Sequence, residues 1–591
     1  MKDFFKFMFA SMLGMLIMSV ILFFVLVGMI ASMASFMEKE LVAVSENTLL
    51  KIELNTAIPD RTSNDPFSEF DFATMESKKS IGLNDILKNL DKAARDGNIK
   101  GIYLDLSSIP AGIATIEEVR NALVEFKKSG KFIIAYAENY SQGAYYLATV
   151  ADKIYINPEG ELDFRGLSAE MMFFKGTLEK LDADMQIIRH GKYKSAVEPF
   201  MLDKMSPENR EQMMAIVNGV WDRILDAIST SRNISKTELN RLADGLLVAM
   251  PDAAIKNKLI DEVRYKDEIL AELKGLLGVA ESEDIKSVTL ADYTDAPDPS
   301  TERPDRKNKI AVIYALGEIS SGEGSESTIG SESLSKAIRK ARTDDKVKAI
   351  VMRVNSPGGS ALASDVILRE VKLAVKEKPF IVSMGDVAAS GGYYIACAAN
   401  KIYADPTTIT GSIGVLGMIP NLERTMKEYL GVTFDYAMTN ENANYMSINR
   451  PMTEYQKNVI LGYIEDIYET FVGHVAEGRK MSTTAVDNIG QGRVWIGTDA
   501  KKIGLIDEFG GLTAAIEEAA KMANIEKYVI TELPAQKDPI EELVKDLFGQ
   551  SSIEAKIKAE LGPNYKLYQY MKYWQNASGV QARMPFDINL N

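Results

Sequence analysis

One cysteine and two histidines are all that 591 residues hold of the side chains that most readily cross-link a chain or ligate zinc. Cys397 has no partner, so an intrachain disulfide is excluded. A closed zinc site needs four ligands, and Cys397, His190 and His474 supply three. No metal or cofactor is expected. An excess of positive charge is missing too. The net charge is −15, with 68 Lys and Arg against 83 Asp and Glu, whereas nucleic-acid binding requires a cationic surface. Charge of either sign is absent between Lys6 and Glu38. That run exceeds the roughly 20 residues that cross a bilayer and the roughly 7–15 apolar residues of a cleaved leader. Lys2 and Lys6 precede it, and positive flanks remain cytoplasmic. The reading is a single-pass anchor in a bacterial inner (cytoplasmic) membrane, with the bulk of the chain on the periplasmic or outer side.

What is present is written twice. At a constant offset of 248 residues, Tyr145-Tyr146 falls on Tyr393-Tyr394 and Lys153-Ile154-Tyr155 on Lys401-Ile402-Tyr403. Strand-like LLKIEL near Leu49 opens the first copy and KIAVIYAL from Lys309 the second. Apolar runs alternate with helix-like stretches in both, which implies an α/β fold around a buried, mostly parallel sheet. The polar, proline-bearing stretch at 295–308 reads as a linker. The expected organisation is an anchor at 1–44, repeats at 45–294 and 309–533, and a tail at 534–591. Within the tail, 538–561 reads as a charged amphipathic helix, and the remainder as a packing arm or oligomer contact.

The copies have lost opposite halves of a possible catalytic site. Ser390 stands in ASGGYY, where the first copy has Gln142 in SQGAYY. A serine at a strand-to-helix turn presents its hydroxyl beside free helix amides, although an N-cap serine would read the same way. Asn355-Ser356-Pro357-Gly358-Gly359 follows a strand-like run, and the first copy has Ser107-Ser108-Ile109-Pro110-Ala111 there. A turn has no reason to lose its glycines together with a serine thirty-odd residues later, so the joint loss favours a shared role as an oxyanion hole. A serine needs a base. Lys192 and Lys194 occur in GKYKSAVEPF, whereas the matching stretch near 439–450 has no lysine. His190 stands four residues before Lys194 and is the competing candidate. A lysine acts as a base at neutral pH only when burial depresses its pKa, and a Ser–Lys pair is a known variant of the triad.

SPGG, ASGGYYIA, TGSIGV and YKSAVEP together resemble the signal peptide peptidase A (protease IV) family, in its long, duplicated, membrane-anchored form. The resemblance covers about residues 1–530. It implies two tandem crotonase-like domains related to the Clp protease subunit and a serine endopeptidase of the Ser–Lys type. By the same resemblance Ser390 is the nucleophile, Lys194 the general base and Ser412 the group that orients the lysine. Gly359 and Gly391 are the oxyanion-hole residues, with Gly358 as the alternative to Gly359. The implied partners are cleaved signal peptides and other short apolar peptides, the membrane, and identical subunits in a homotetramer. The rival readings are a crotonase-like enzyme acting on acyl-thioesters, which would need neither Ser390 nor Lys194, and an inactive membrane scaffold.

Overall fold

The computed structural model describes residues 2–36, 42–64, 70–71, 76–77, 80–300, 305–325, 327–536 and 580–583. The uncharged N-terminal run forms one helix, α1 (Lys2–Phe36), which is long and apolar enough to cross a membrane. The amphipathic helix expected at 538–561 lies outside the described residues.

In the first repeat the apolar runs become β1 (Thr48–Ile52), β2 (Ile99–Asp105), β3 (Phe132–Ala137) and β4 (Lys153–Ile156). After them β5 (Asp184–Arg189) leaves for another sheet, and β6 (Glu262–Val263) and β7 (Ser287–Thr289) return. The sheet runs β6-β4-β3-β2-β1-β7 and is parallel throughout.

The second repeat opens with β8 (Lys309–Leu316), β9 (Glu318–Ser320), β10 (Gly324–Ser325) and β11 (Thr328–Gly330). It continues with β12 (Val347–Ser356), β13 (Gly358–Ser360), β14 (Phe380–Ala389), β15 (Lys401–Ala404), β16 (Ile409–Gly411) and β17 (Leu416–Asn421). β18 (Val494–Ile496), β19 (Glu508–Phe509) and β20 (Val529–Leu533) complete it. The path β19-β15-β14-β12-β8-β20 repeats the strand order of the first sheet, and β16 and β18 extend it from the far end of β14. Helices cover both faces, which is why strands such as β12 are buried nearly end to end rather than alternating.

Two features join the repeats. The first core, built on Leu50, Ile102, Leu104 and Ile133, takes in Ala389, Ile409, Val494 and Ile496 from the second repeat. A buried polar clamp lies alongside. The guanidinium of Arg353 is fully buried and donates to Asp60 at 2.5 Å and Glu118 at 2.6 Å, both from the first repeat. Glu118 accepts from the Leu512 amide with its other oxygen, and Asn355 donates to the second oxygen of Asp60. Asp386 receives both the amide and the hydroxyl of Thr115. Each carboxylate thus has a partner across the interface, as burial of charge demands.

A third sheet crosses the repeats. Its order is β10-β11-β9-β13-β21-β17-β5, where β21 is Val580–Arg583 from the tail. β17 and β5 pair antiparallel over six residues, from Leu416 opposite Arg189 to Asn421 opposite Asp184.

Candidate active site

Ser390 sits between β14 and helix α2 (Gly391–Ala396), as its place in the sequence implies. Its backbone is unusual for a non-glycine residue, with φ 55° and ψ −114°. Such a conformation costs of order 1–3 kcal/mol and persists only where neighbours enforce it. Here the Ser390 amide donates to Gly411 O, and its carbonyl accepts from Tyr394 in the first turn of α2. The side chain makes no cap bond, so the hydroxyl is free for another partner.

That partner is Lys194. Its Nζ lies 2.9 Å from Ser390 Oγ, 3.1 Å from Ser412 Oγ and 3.2 Å from Ser412 O. Lys194, Ser390 and Ser412 are all fully buried. Burial pushes the Lys194 pKa well below 10.5, and among the described residues no charged neighbour offsets it. A neutral amine has two N–H bonds and one lone pair. With its two N–H bonds directed at the oxygens of Ser412, such an amine would keep the lone pair for the Ser390 hydroxyl. Ser412 itself is held at φ 53° and donates its amide to Arg493 O.

The lysine reaches the serine because β5 pairs with β17. Five residues beyond β5, the Lys194 turn is fastened from two sides. Arg189 donates to Lys194 O, and Gln212 donates to Ser195 Oγ and Tyr193 O while accepting from the Val494 amide. Buried Glu198 accepts from Ser206 and Asn209 just behind. From the second repeat, Gln491 O accepts the Tyr193 amide. Gly492, at φ +79°, leaves so little room that a Cβ there would fall 2.6 Å from Lys194 Cβ. The segment 491–493 therefore clasps the lysine, a role that no motif in the sequence announced.

The competing candidates lie elsewhere. Lys192 is exposed, with its Nζ over the Tyr193 ring. His190 bonds Glu465 through Nδ1 and stacks on Tyr468 at 3.8 Å, and it makes no hydrogen bond to Ser390. His474 contacts Lys372 and Asp365. Cys397 is buried, donates to Tyr394 O, and has its thiol pushed up to about 12 by burial.

Gly359 and Gly391 meet at the same corner. A Cβ on Gly391 would lie 3.2 Å from the Gly359 amide nitrogen, and one on Gly359 would strike Ile319 O at 2.1 Å. The Gly358 amide donates to Ser356 Oγ, which favours Gly359 over Gly358 as a donor to a ligand. Asn355 and Asp386, neighbours of these motifs in sequence, face the other way into the clamp. Among the described residues no group of three or more His, Cys, Asp or Glu could hold a metal ion.

Comparisons with known proteins give the family. The model of peptidase family S49 matches residues 125–280 and again 372–526, and that of the Clp protease matches 310–410. A Protease 4 of Haemophilus influenzae is 37% identical over 526 residues, 86% of this chain and 85% of its own. A chloroplastic serine protease SPPA of Arabidopsis thaliana is 33% identical over 515 residues, 85% of this chain and 74% of its own. A putative signal peptide peptidase SppA of Enterococcus faecium is 36% identical over 186 residues, 31% of this chain and 54% of its own. With both repeats matched and relatives aligned over most of its length, the chain belongs to peptidase family S49 and is a membrane-anchored serine peptidase.

Proposed function

We propose that the chain is an endopeptidase working through a Ser390–Lys194 dyad, one residue from each repeat, and that it degrades signal peptides left in the membrane after their release. The observation that carries this reading is the 2.9 Å approach of a fully buried, charge-unpaired lysine to a serine held in a strained elbow. Neutral Lys194 takes the Ser390 proton as Oγ attacks the peptide carbonyl. The amides of Gly359 and Gly391 receive the developing oxyanion. Protonated Lys194 then gives its proton to the leaving amine. Water enters, loses a proton to the same lysine and attacks the acyl carbon, and the lysine returns that proton to Ser390 Oγ as the acyl group leaves. Ser412 holds the amine in orientation through both halves.

The substrate class follows from the relatives' name and from α1, which would keep the site where apolar fragments accumulate. The domain plan is an anchor at 1–44, repeats at 45–294 and 309–533, and a homotetramer on the outer side of a bacterial inner membrane. The test is a serine-directed phosphonate probe. It is expected to label Ser390 in the wild type and to fail in Ser390→Ala and Lys194→Ala. Labelling that persists in Ser390→Ala would sink the assignment.

A further inference from the structure

Helix α3 (Glu454–Arg479) belongs to the second repeat, yet one of its side chains touches both segments that meet at the lysine. That side chain is Tyr468, which is buried. Its ring stacks on His190, with centroids 3.8 Å apart and planes at 24°, and His190 stands four residues before Lys194. Its hydroxyl accepts the Gln491 amide at 3.1 Å and donates to Asp487 at 2.6 Å. Gln491 in turn supplies the carbonyl that takes the Tyr193 amide, next to Lys194. One phenol therefore braces the lysine segment with its face and the clasp with its hydroxyl.

Gln491 needs that brace. Its φ is 54°, and such backbone persists in a residue with a Cβ only where neighbours hold it. The Tyr468 hydroxyl takes its amide, and Asp487 accepts from its side chain as well as from Tyr468. The fit is close on both sides. A Cβ on Gly490 would lie 3.0 Å from Tyr468 Oη, and one on Gly191 would lie 2.4 Å from Gln491 O. Directly after Gln491, Gly492 presses on Lys194 and Arg493 O accepts the Ser412 amide. A displacement of Gln491 thus reaches both the lysine and the serine that orients it.

We infer that Tyr468 is a positioning residue of the peptidase, which sets Lys194 against Ser390 through Gln491 and keeps water from the amine. The inference rests on the Ser390–Lys194 reading. Without the hydroxyl, the Gln491 amide loses its acceptor in a poorly hydrated place, and the clasp relaxes. Burial is what lowers the Lys194 pKa. Hydration would move it back toward the ordinary range, leaving less uncharged lysine at neutral pH. The titratable groups around Tyr468 are His190, Glu465 behind it, and Asp487, and Tyr468→Phe leaves all three in place. Lys194 Nζ meets only Ser390 and Ser412 among the described residues.

The test is Tyr468→Phe in the full chain, which keeps the ring stack. At neutral pH kcat is expected to fall about tenfold or more with KM little changed. The rising limb of the activity–pH profile is expected to move to higher pH, so that alkaline buffer recovers part of the loss. The titration of Lys194 is read separately, by competitive acetylation with acetic anhydride and mass spectrometry, and its midpoint is expected to move the same way. Val475→Ala, a buried change two turns along α3, is expected to lower the thermal midpoint while leaving both pH midpoints in place. Asp487→Ala unfastens the same hydroxyl and is expected to reproduce the pH shift, which decides the matter if Tyr468→Phe fails to fold. Unmoved pH midpoints in the Tyr468 and Asp487 variants, or the same shift in Val475→Ala, overturn the inference. A Lys194 midpoint that moves although neither wild type nor variant hydrolyses peptides would uphold the positioning role and count against the dyad reading instead.

Discussion

The two repeats keep the same frame and differ where the chemistry is. Six strands run in the same order in both sheets. In each, a tyrosine of the elbow helix donates to a distant carbonyl, Tyr145 to Leu259 and Tyr393 to Leu505. In each, an arginine forks onto an aspartate, Arg232 on Asp261 and Arg479 on Asp507, and that aspartate accepts the amide of Ile154 or Ile402. The elbows part company. In the first repeat Ser141 is a relaxed N-cap, with φ −70°, ψ 160° and a side chain that accepts from Ala144. Gln142 is tied to the loop at Arg165 and Gly166 by three hydrogen bonds. In the second the N-cap is the strained Ser390. Packing that stabilises the fold has been retained in both copies, while strain at the elbow is present only in the second.

The most severe way to break the comparison is to remove either half of the divided site. Ser390→Ala and Lys194→Ala are each expected to lower kcat/KM by about 10⁴-fold or more with an unchanged circular dichroism spectrum. Lys192→Ala should cleave peptides nearly as well as wild type. Severing the repeats comes next. Arg353→Met leaves Asp60 and Glu118 buried without their cation, a loss of about 3–5 kcal/mol, seen as a lower thermal midpoint. Loosening the clasp comes third. Gly492→Ala puts a methyl group against Lys194 and is expected to reduce kcat/KM about 10²-fold and to lower the thermal midpoint as well, since a Cβ at φ +79° is strained.

The buried lysine also fixes a pH dependence. Its folded pKa lies well below 10.5, whereas the unfolded chain keeps the ordinary value of about 10.4. Between the two, the unfolded state holds a proton that the folded state lacks. Stability therefore falls as pH drops through that window and levels off below the folded pKa. Activity falls over the lower part of the window, because a protonated amine cannot accept the serine proton. Lys194→Met should be inactive, yet melt higher than wild type at neutral pH and with a flatter pH profile. The mildest change sharpens the contrast between elbows. Gln142→Ser costs about 1–3 kcal/mol through lost hydrogen bonds. In a Ser390→Ala background it is expected to restore no hydrolysis, since Ser107-Ser108-Ile109-Pro110-Ala111 offers no glycine pair.

Much of this was legible in the chain because duplication provides its own control. Setting Gln142 beside Ser390, and a lysine-free stretch beside Lys194, singles out residues that no isolated motif could. The alternation of apolar runs likewise revealed the parallel sheets. What stayed hidden depends on contacts between segments hundreds of residues apart. Pairing of β5 with β17, the clasp at 491–493 and the strand at 580–583 leave no local periodicity to read. Asn355 and Asp386 carry the opposite lesson. They adjoin catalytic motifs in sequence, but a one-dimensional pattern does not say which side of the backbone faces the site, and theirs face Asp60 and Thr115.

The clasp at Gln491–Arg493 has a consequence for biosynthesis. The chain emerges from the ribosome at about 5–20 residues per second. Lys194 appears long before Ser390, and the segment that holds the lysine in place comes a further hundred residues behind the serine. A nascent chain that ends before the clasp lacks the contacts by which the second repeat fastens the Lys194 turn. On the proposed dyad, products of translation interrupted before Ser390 carry the lysine alone and have no peptidase activity.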